Sequence, residues 1–175
     1  MDIVLSEADR LIDLIEEGVD CVIRAGTLGD SSLIGRHLAD LAQVTCASPA
    51  YLNAYGEPEN LADLAQHKGI TYVSRATGKV FPFEFQDKGA VREIIIPTAI
   101  SVFGSEIYTA SALAGIGLIQ VPRYRVAAEL EQGKLREILP GFPPPVMPVS
   151  VLYPHSRHLS PRVRVFVEWL KEIFR

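Results

Sequence analysis

The chain opens on a short apolar strand predicted at residues 2–5, followed by Ser6-Glu7-Ala8-Asp9, which has the spacing of a helix capping box with Ser6 at the N-cap. Ala8, Leu11, Ile12 and Ile15 then recur at helical spacing, and Gly18 is placed to end that helix. Residues 20–25 read as a strand. A strand, a helix of about three turns and a second strand predict a parallel pair joined by a right-handed crossover. Residues 33–47 are extended without a clean period. Ser48-Pro49 supplies an N-cap and a first-turn proline for a short helix closed by Gly56, and another short helix is predicted over 61–67.

Further along, strands are predicted at 70–73, 91–96 and 100–103, with a hairpin strand at 81–85 inside an aromatic, glycine-bearing stretch. A helix over 105–114 carries Ile107, Ala110, Ser111 and Ala114 at helical spacing, and Gly115-Ile116-Gly117 turns it into a strand at 118–121. A helix at 124–131, a turn at Gly133 and a strand at 135–139 follow. Pro140, Pro143, Pro144, Pro145 and Pro148 then make a stiff connector to a strand at 149–153. Ser160-Pro161 opens the last helix, whose Val163, Phe166, Val167, Leu170 and Phe174 form an apolar stripe. Strands alternating with helices imply an α/β fold with mainly parallel sheets.

Composition narrows the function. With 175 residues, 48% hydrophobic and 22% charged, the chain can bury a core as one domain or as two small lobes. Its net charge of −4 comes without any lysine-arginine block, so this surface does not attract phosphates and should bind nucleic acid poorly. No apolar run approaches the roughly 18 residues of a membrane span. The start has no basic segment and no signal-peptide anatomy, and it reads as the middle of a domain entered at a strand. Cys21 and Cys46 sit in separate predicted strands without metal-ligand spacing, which fits small buried thiols in a reducing cytoplasm.

Candidate chemistry is sparse. Gly115-x-Gly117 follows a helix and precedes a strand, the reverse of the dinucleotide fingerprint, so it reads as a tight connection. His155 and His158 stand three apart in a polar loop without a carboxylate or cysteine partner, and read as solvated side chains. No metal and no cofactor are expected. No nucleophile elbow, zinc-protease motif or paired acid-base constellation is present, so the chain is not expected to be an enzyme. Ser6 and the segment Phe103-Gly104-Ser105 each begin a helix, where free N–H groups are either ordinarily capped or hold a small anion. Two such starts facing one cleft would favour the anion. Arg24 ends a predicted strand, where α/β sheets bind ligands, and pairs either with an anion or with Asp20 or Asp30. Tyr72, Phe81, Phe83, Phe85 and Tyr153 line an aromatic pocket or belong to the core.

A series of stretches resembles the effector-binding domain of LysR-type transcriptional regulators. They are residues 14–26 (LIEEGVDCVIRAG), 30–38 (DSSLIGRHL), 47–52 (ASPAYL) with 56–58 (GEP), 63–67 (DLAQH), 114–122 (AGIGLIQVP), 133–135 (GKL) and 153–154 (YP) before the closing helix. Their order and spacing match from end to end. The resemblance implies the fold of type 2 periplasmic binding proteins, with two α/β lobes joined by two crossovers. One lobe would comprise 1–46 with 149–175 and the other 47–148.

It further implies a small effector, an organic acid or an aromatic compound, in the cleft of a cytoplasmic homo-oligomer that meets DNA only through an absent N-terminal helix-turn-helix. Carried over, the ligand region comprises Ser6 and Arg24, Ala25 and Gly26 on one lobe, and Ser74, Thr77, Val102, Phe103 and Gly104 on the other. Phe103 departs from the polar residue the family often has there. The family's first strand and helix of lobe I are also missing, which should expose backbone edges beside residues 3–5 and 21–23, covered by another copy or removed by rearrangement. A transport-type solute-binding protein, or a dimerisation fragment without a working pocket, would share these features.

Overall fold

The computed structural model describes residues 3–6, 14, 16–28, 33–75, 78–154 and 161–174. In chain order they form β1 (Val22–Ala25), β2 (Leu33–Leu41), β3 (Gln43–Ala47), α1 (Pro49–Tyr55), β4 (Gly69–Tyr72), β5 (Phe83–Asp87), β6 (Ala90–Ile94), β7 (Thr98–Val102), α2 (Ser105–Leu113), β8 (Ile119–Pro122), α3 (Ala127–Glu131), β9 (Arg136–Glu137), β10 (Met147–Pro154) and α4 (Pro161–Ile173). Short 3₁₀ turns lie at Asp63–Gln66 and Arg123–Val126. The chain divides into two compact units, Met1–Leu41 with Val146–Arg175, and Ala42–Pro145.

In the first unit β10 is the central strand of the order β1-β10-β2, antiparallel to both neighbours. Its Val149, Val151, Leu152 and Tyr153 are buried. One face of α4 supplies Val163 and Val167, which cluster with Val151, Cys21 and Leu38. The opposite face leaves Val165, Trp169 and Ile173 exposed at 61%, 47% and 57%, an apolar stripe at i, i+4, i+8 spacing.

Two expectations fail in this unit. Residues 3–5 form no strand, and Val4 is 94% exposed. An extended segment becomes a strand only when a neighbour takes its N–H and C=O groups, and these residues have none among the described residues. The parallel pair with 20–25 is therefore absent, and β1 pairs antiparallel with β10 instead. The helix expected over 8–15 lies almost wholly outside the described residues. At the place where it was expected to end, the Val19 N–H donates to the Leu14 carbonyl at 3.0 Å across Gly18, which has φ 67°.

In the second unit β3 is antiparallel to β8 and β9, and β4 is parallel to β7. Leu118 splices the two groups: its N–H donates to the Lys68 carbonyl and its own carbonyl accepts the Ile70 N–H, both at 2.9 Å. The result is one mixed ladder, β9-β3-β8-β4-β7. The sheets are thus less parallel than expected: β3 runs against its neighbours, while strand–helix–strand crossovers return the chain from β7 to β8 through α2 and from β8 to β9 through α3. Next to the splice, a Cβ on Gly117 would lie 2.7 Å from the Lys68 carbonyl oxygen, so only glycine fits. α1 starts as expected, with the Tyr51 N–H donating to Ser48 Oγ, and ends with the Gly56 N–H donating to the Leu52 carbonyl.

β5 and β6 form a hairpin whose two-residue turn, Lys88-Gly89, has positive φ at both positions. The Gln120 side chain ties this hairpin to the ladder: its Oε1 accepts the Glu84 N–H, while Nε2 donates to the Glu84 carbonyl and to Thr45 Oγ1, each at 2.9 Å. Two clusters make the core, one around Tyr51, Leu64, Phe85, Leu118 and Ile138, the other around Val44, Ile70, Tyr108, Ile119 and Val126. Among the described residues no helix is long and apolar enough to cross a membrane.

Replacing Gly117 by alanine should lower the urea midpoint by an amount equivalent to about 1–3 kcal/mol, since the backbone at Lys68 must shift to admit the methyl group. An unchanged midpoint would show that the splice between β4 and β8 tolerates the displacement.

Candidate ligand-binding site

The parallel pair β4–β7 ends with its C-termini side by side, Tyr72 opposite Val102. Beyond Tyr72 the chain folds back on itself: the Val73 N–H donates to the Val102 carbonyl, the Ser74 N–H to the Lys79 carbonyl, and the Phe81 N–H to the Tyr72 carbonyl. Ser74 and Arg75 stand on this turn. Beyond Val102, Gly104 is the N-cap of α2 in extended conformation, with no side-chain cap, and the Tyr108 N–H donates to its carbonyl. Four expected ligand residues, Ser74, Val102, Phe103 and Gly104, thus meet at one end of the ladder, where α/β sheets take ligands. Val102 turns its side chain into the core, and its carbonyl is taken by Val73. Phe103 is 46% exposed, with the Arg75 guanidinium 5.6 Å above its ring. Thr77 lies outside the described residues.

On the first unit, Arg24, Ala25 and Gly26 follow one another at the C-terminal end of β1. Arg24 sits opposite Ser150, and the Gly26 N–H donates to the Pro148 carbonyl at 2.8 Å. Arg24 and Ala25 are exposed, and Arg24 makes no ion pair with Asp20. Asp30, the other partner considered, lies outside the described residues. Ser6 is exposed and outside any element. The helix it would cap, and the loop with His155 and His158, are also outside the described residues.

The aromatic residues divide. Phe83, Phe85 and Tyr153 are core, whereas Tyr72 is half-buried between Phe81 and Tyr108, both edge-on to it at 5.9 and 5.4 Å. Phe81 is exposed. Gly115, at φ 79°, and Gly117 form the tight connection from α2 to β8. Cys21 and Cys46 are free thiols. Burial, reinforced by Glu137 and opposed by Arg123, pushes the Cys46 thiol up to about 12, and burial with Asp20 also raises Cys21, so neither is a ready nucleophile. Among the described residues, no group of three or more histidines, cysteines and carboxylates is placed to hold a metal.

Sequence reasoning did not single out His67 or Arg75. His67 is buried, its Nδ1 hydrogen-bonds the Tyr51 hydroxyl at 3.2 Å, and that hydroxyl accepts the Lys68 N–H at 2.7 Å. Arg75 falls inside the carried-over window 74–77, but its stacking on Phe103 leaves no trace in spacing.

Two α/β units, one of them built from separated stretches of chain, define the class of type 2 periplasmic-binding-protein folds. The LysR substrate binding domain matches residues 1–175, and the chain belongs to that family. It is 37% identical over its whole length to YhjC, an HTH-type transcriptional regulator of Escherichia coli (strain K12), covering 58% of it. It is also 37% identical over 97% of its length to an HTH-type transcriptional repressor of Pseudomonas aeruginosa (strain UCBPP-PA14), covering 54% of that protein. The chain thus spans a little over half the length of these curated relatives. Among solved structures, the regulatory domain of CrgA from Neisseria meningitidis superposes with a TM-score of 0.78 at 29% identity, over 97% of this chain and 81% of that one.

Burial holds the His67 pKa below its ordinary value, with Asp63 opposing the shift. The unfolded chain then takes up the proton before the folded one. Stability should be full above the ordinary histidine pKa of about 6.5 and fall as pH drops from there through the depressed folded value. Melting temperatures measured down this range should decline in the native chain and be flatter in His67→Gln; parallel curves would remove His67 as the cause.

Proposed function

We propose that the chain is the effector-sensing part of a cytoplasmic LysR-type transcriptional regulator and performs no chemistry on what it binds. The observation that carries this reading is the match of the whole chain to the LysR substrate-binding domain, on relatives that are HTH-type regulators. Contact residues in this reading are Ser6, Arg24, Ala25 and Gly26 on the first unit, and Ser74, Thr77, Phe103 and Gly104 on the second, with buried Val102 beneath them holding the Val73 N–H. The meeting of Ser74, Phe103 and Gly104 at the ends of β4 and β7 supports it. The effector acts by preferring one conformational state, and shifts the equilibrium only by its differential affinity for the two. DNA is gripped elsewhere in the full-length regulator, in keeping with the acidic balance of this chain.

A thermal-shift screen of small organic acids and aromatic compounds tests the reading. A true effector at a hundred times its Kd should stabilise the chain by about 2.7 kcal/mol and raise Tm by about 5–10 °C. Mass spectrometry should recover it unchanged, and turnover would refute a purely sensing role.

Self-association belongs to the same proposal. The outer edge of β1 has no strand partner among the described residues, and α4 exposes the stripe Val165, Trp169 and Ile173. Sedimentation should show concentration-dependent oligomers that Trp169→Glu weakens; a monomer at all concentrations would count against it.

A further inference from the structure

We infer that the effector is an aromatic carboxylate, and that Arg75 and Phe103 select it. This rests on the reading that the effector contacts the ends of β4 and β7. Arg75 has no carboxylate partner among the described residues, and Glu106, the acid in the first turn of α2, is taken by Arg125 at 2.5 Å. A positive charge therefore stands uncompensated at the strand ends.

Its geometry is informative. The guanidinium lies over the Phe103 ring, 5.6 Å from its centroid, so the cation stands beside an exposed aromatic face. A guanidinium takes a planar carboxylate by two parallel hydrogen bonds.

The surroundings are aromatic and open. Phe103 is 46% exposed, and the turn that carries Arg75 leads into Val80 and Phe81, 48% and 56% exposed. Phe81 stands edge-on to Tyr72. Rings left in water beside an unpaired cation gain most from a ligand that brings both a flat apolar body and a negative charge. An aliphatic acid would use the charge alone, and a neutral aromatic only the rings.

The test is an NMR titration of the whole chain with benzoate and 2-naphthoate, against cyclohexanecarboxylate and benzamide as probes lacking the flat ring or the charge. The aromatic acids should move the amides of Ser74, Arg75, Phe103 and Gly104. Arg75→Gln should weaken them about ten- to a hundredfold and Phe103→Leu about three- to tenfold, with the remaining spectrum unchanged.

Equal binding of either control probe, full affinity in both variants, or no binding of either aromatic acid at 10 mM, taken as roughly the weak limit of useful affinity, would overturn the inference. If another compound from the thermal-shift screen moves the same four amides, the site stands and only the ligand class falls. If stabilising compounds move none of them, the site itself falls.

Discussion

Four hydrogen-bonding groups, the Lys68 carbonyl, the Ile70 N–H and the two backbone groups of Leu118, decide the shape of the larger unit. Without their two bonds, the antiparallel group around β3 and the parallel pair β4–β7 would share no ladder, only the side-chain packing of the second core cluster. The bonds form only because Gly117 lets the returning chain press against Lys68. α2 is caught in the same arrangement: it leaves β7 through Gly104 and re-enters the ladder through Gly115 to Gly117. The direction in which Phe103 and Gly104 face solvent is therefore set from the opposite end of that helix.

What could be read from the sequence follows the range of the physics involved. Signals written in four or five neighbouring residues held: Ser48-Pro49 with Gly56 around α1, and the glycine pair after α2. Pairing partners were not legible, because alternation marks a strand without naming its neighbour or its direction. The apolar run at 3–5 looked like any strand, yet it finds no ladder. The proline-rich connector was expected to end at 148, but β10 begins at Met147 and admits Pro148 at its start, where the missing N–H costs little. At the site, resemblance placed Ser74 and Gly104 on strand ends, while the stacking of Arg75 on Phe103 depends on a turn that no local motif specifies.

The two units are unequal in what they bury. Among the described residues, the larger holds two extensive apolar clusters and ties its hairpin down with polar bonds, whereas the smaller has one cluster, between β10 and one face of α4.

Gln120 carries a consequence of its own. Its carboxamide behaves as a detached peptide group, offering the Glu84 backbone the same acceptor and donor that another strand would. The β5–β6 hairpin thus meets the ladder through a side chain, while its Gln86 N–H donates to the Pro143 carbonyl on the other side. Glutamate, nearly identical in shape, would set an oxygen against the Glu84 carbonyl, turning a latch into a repulsion.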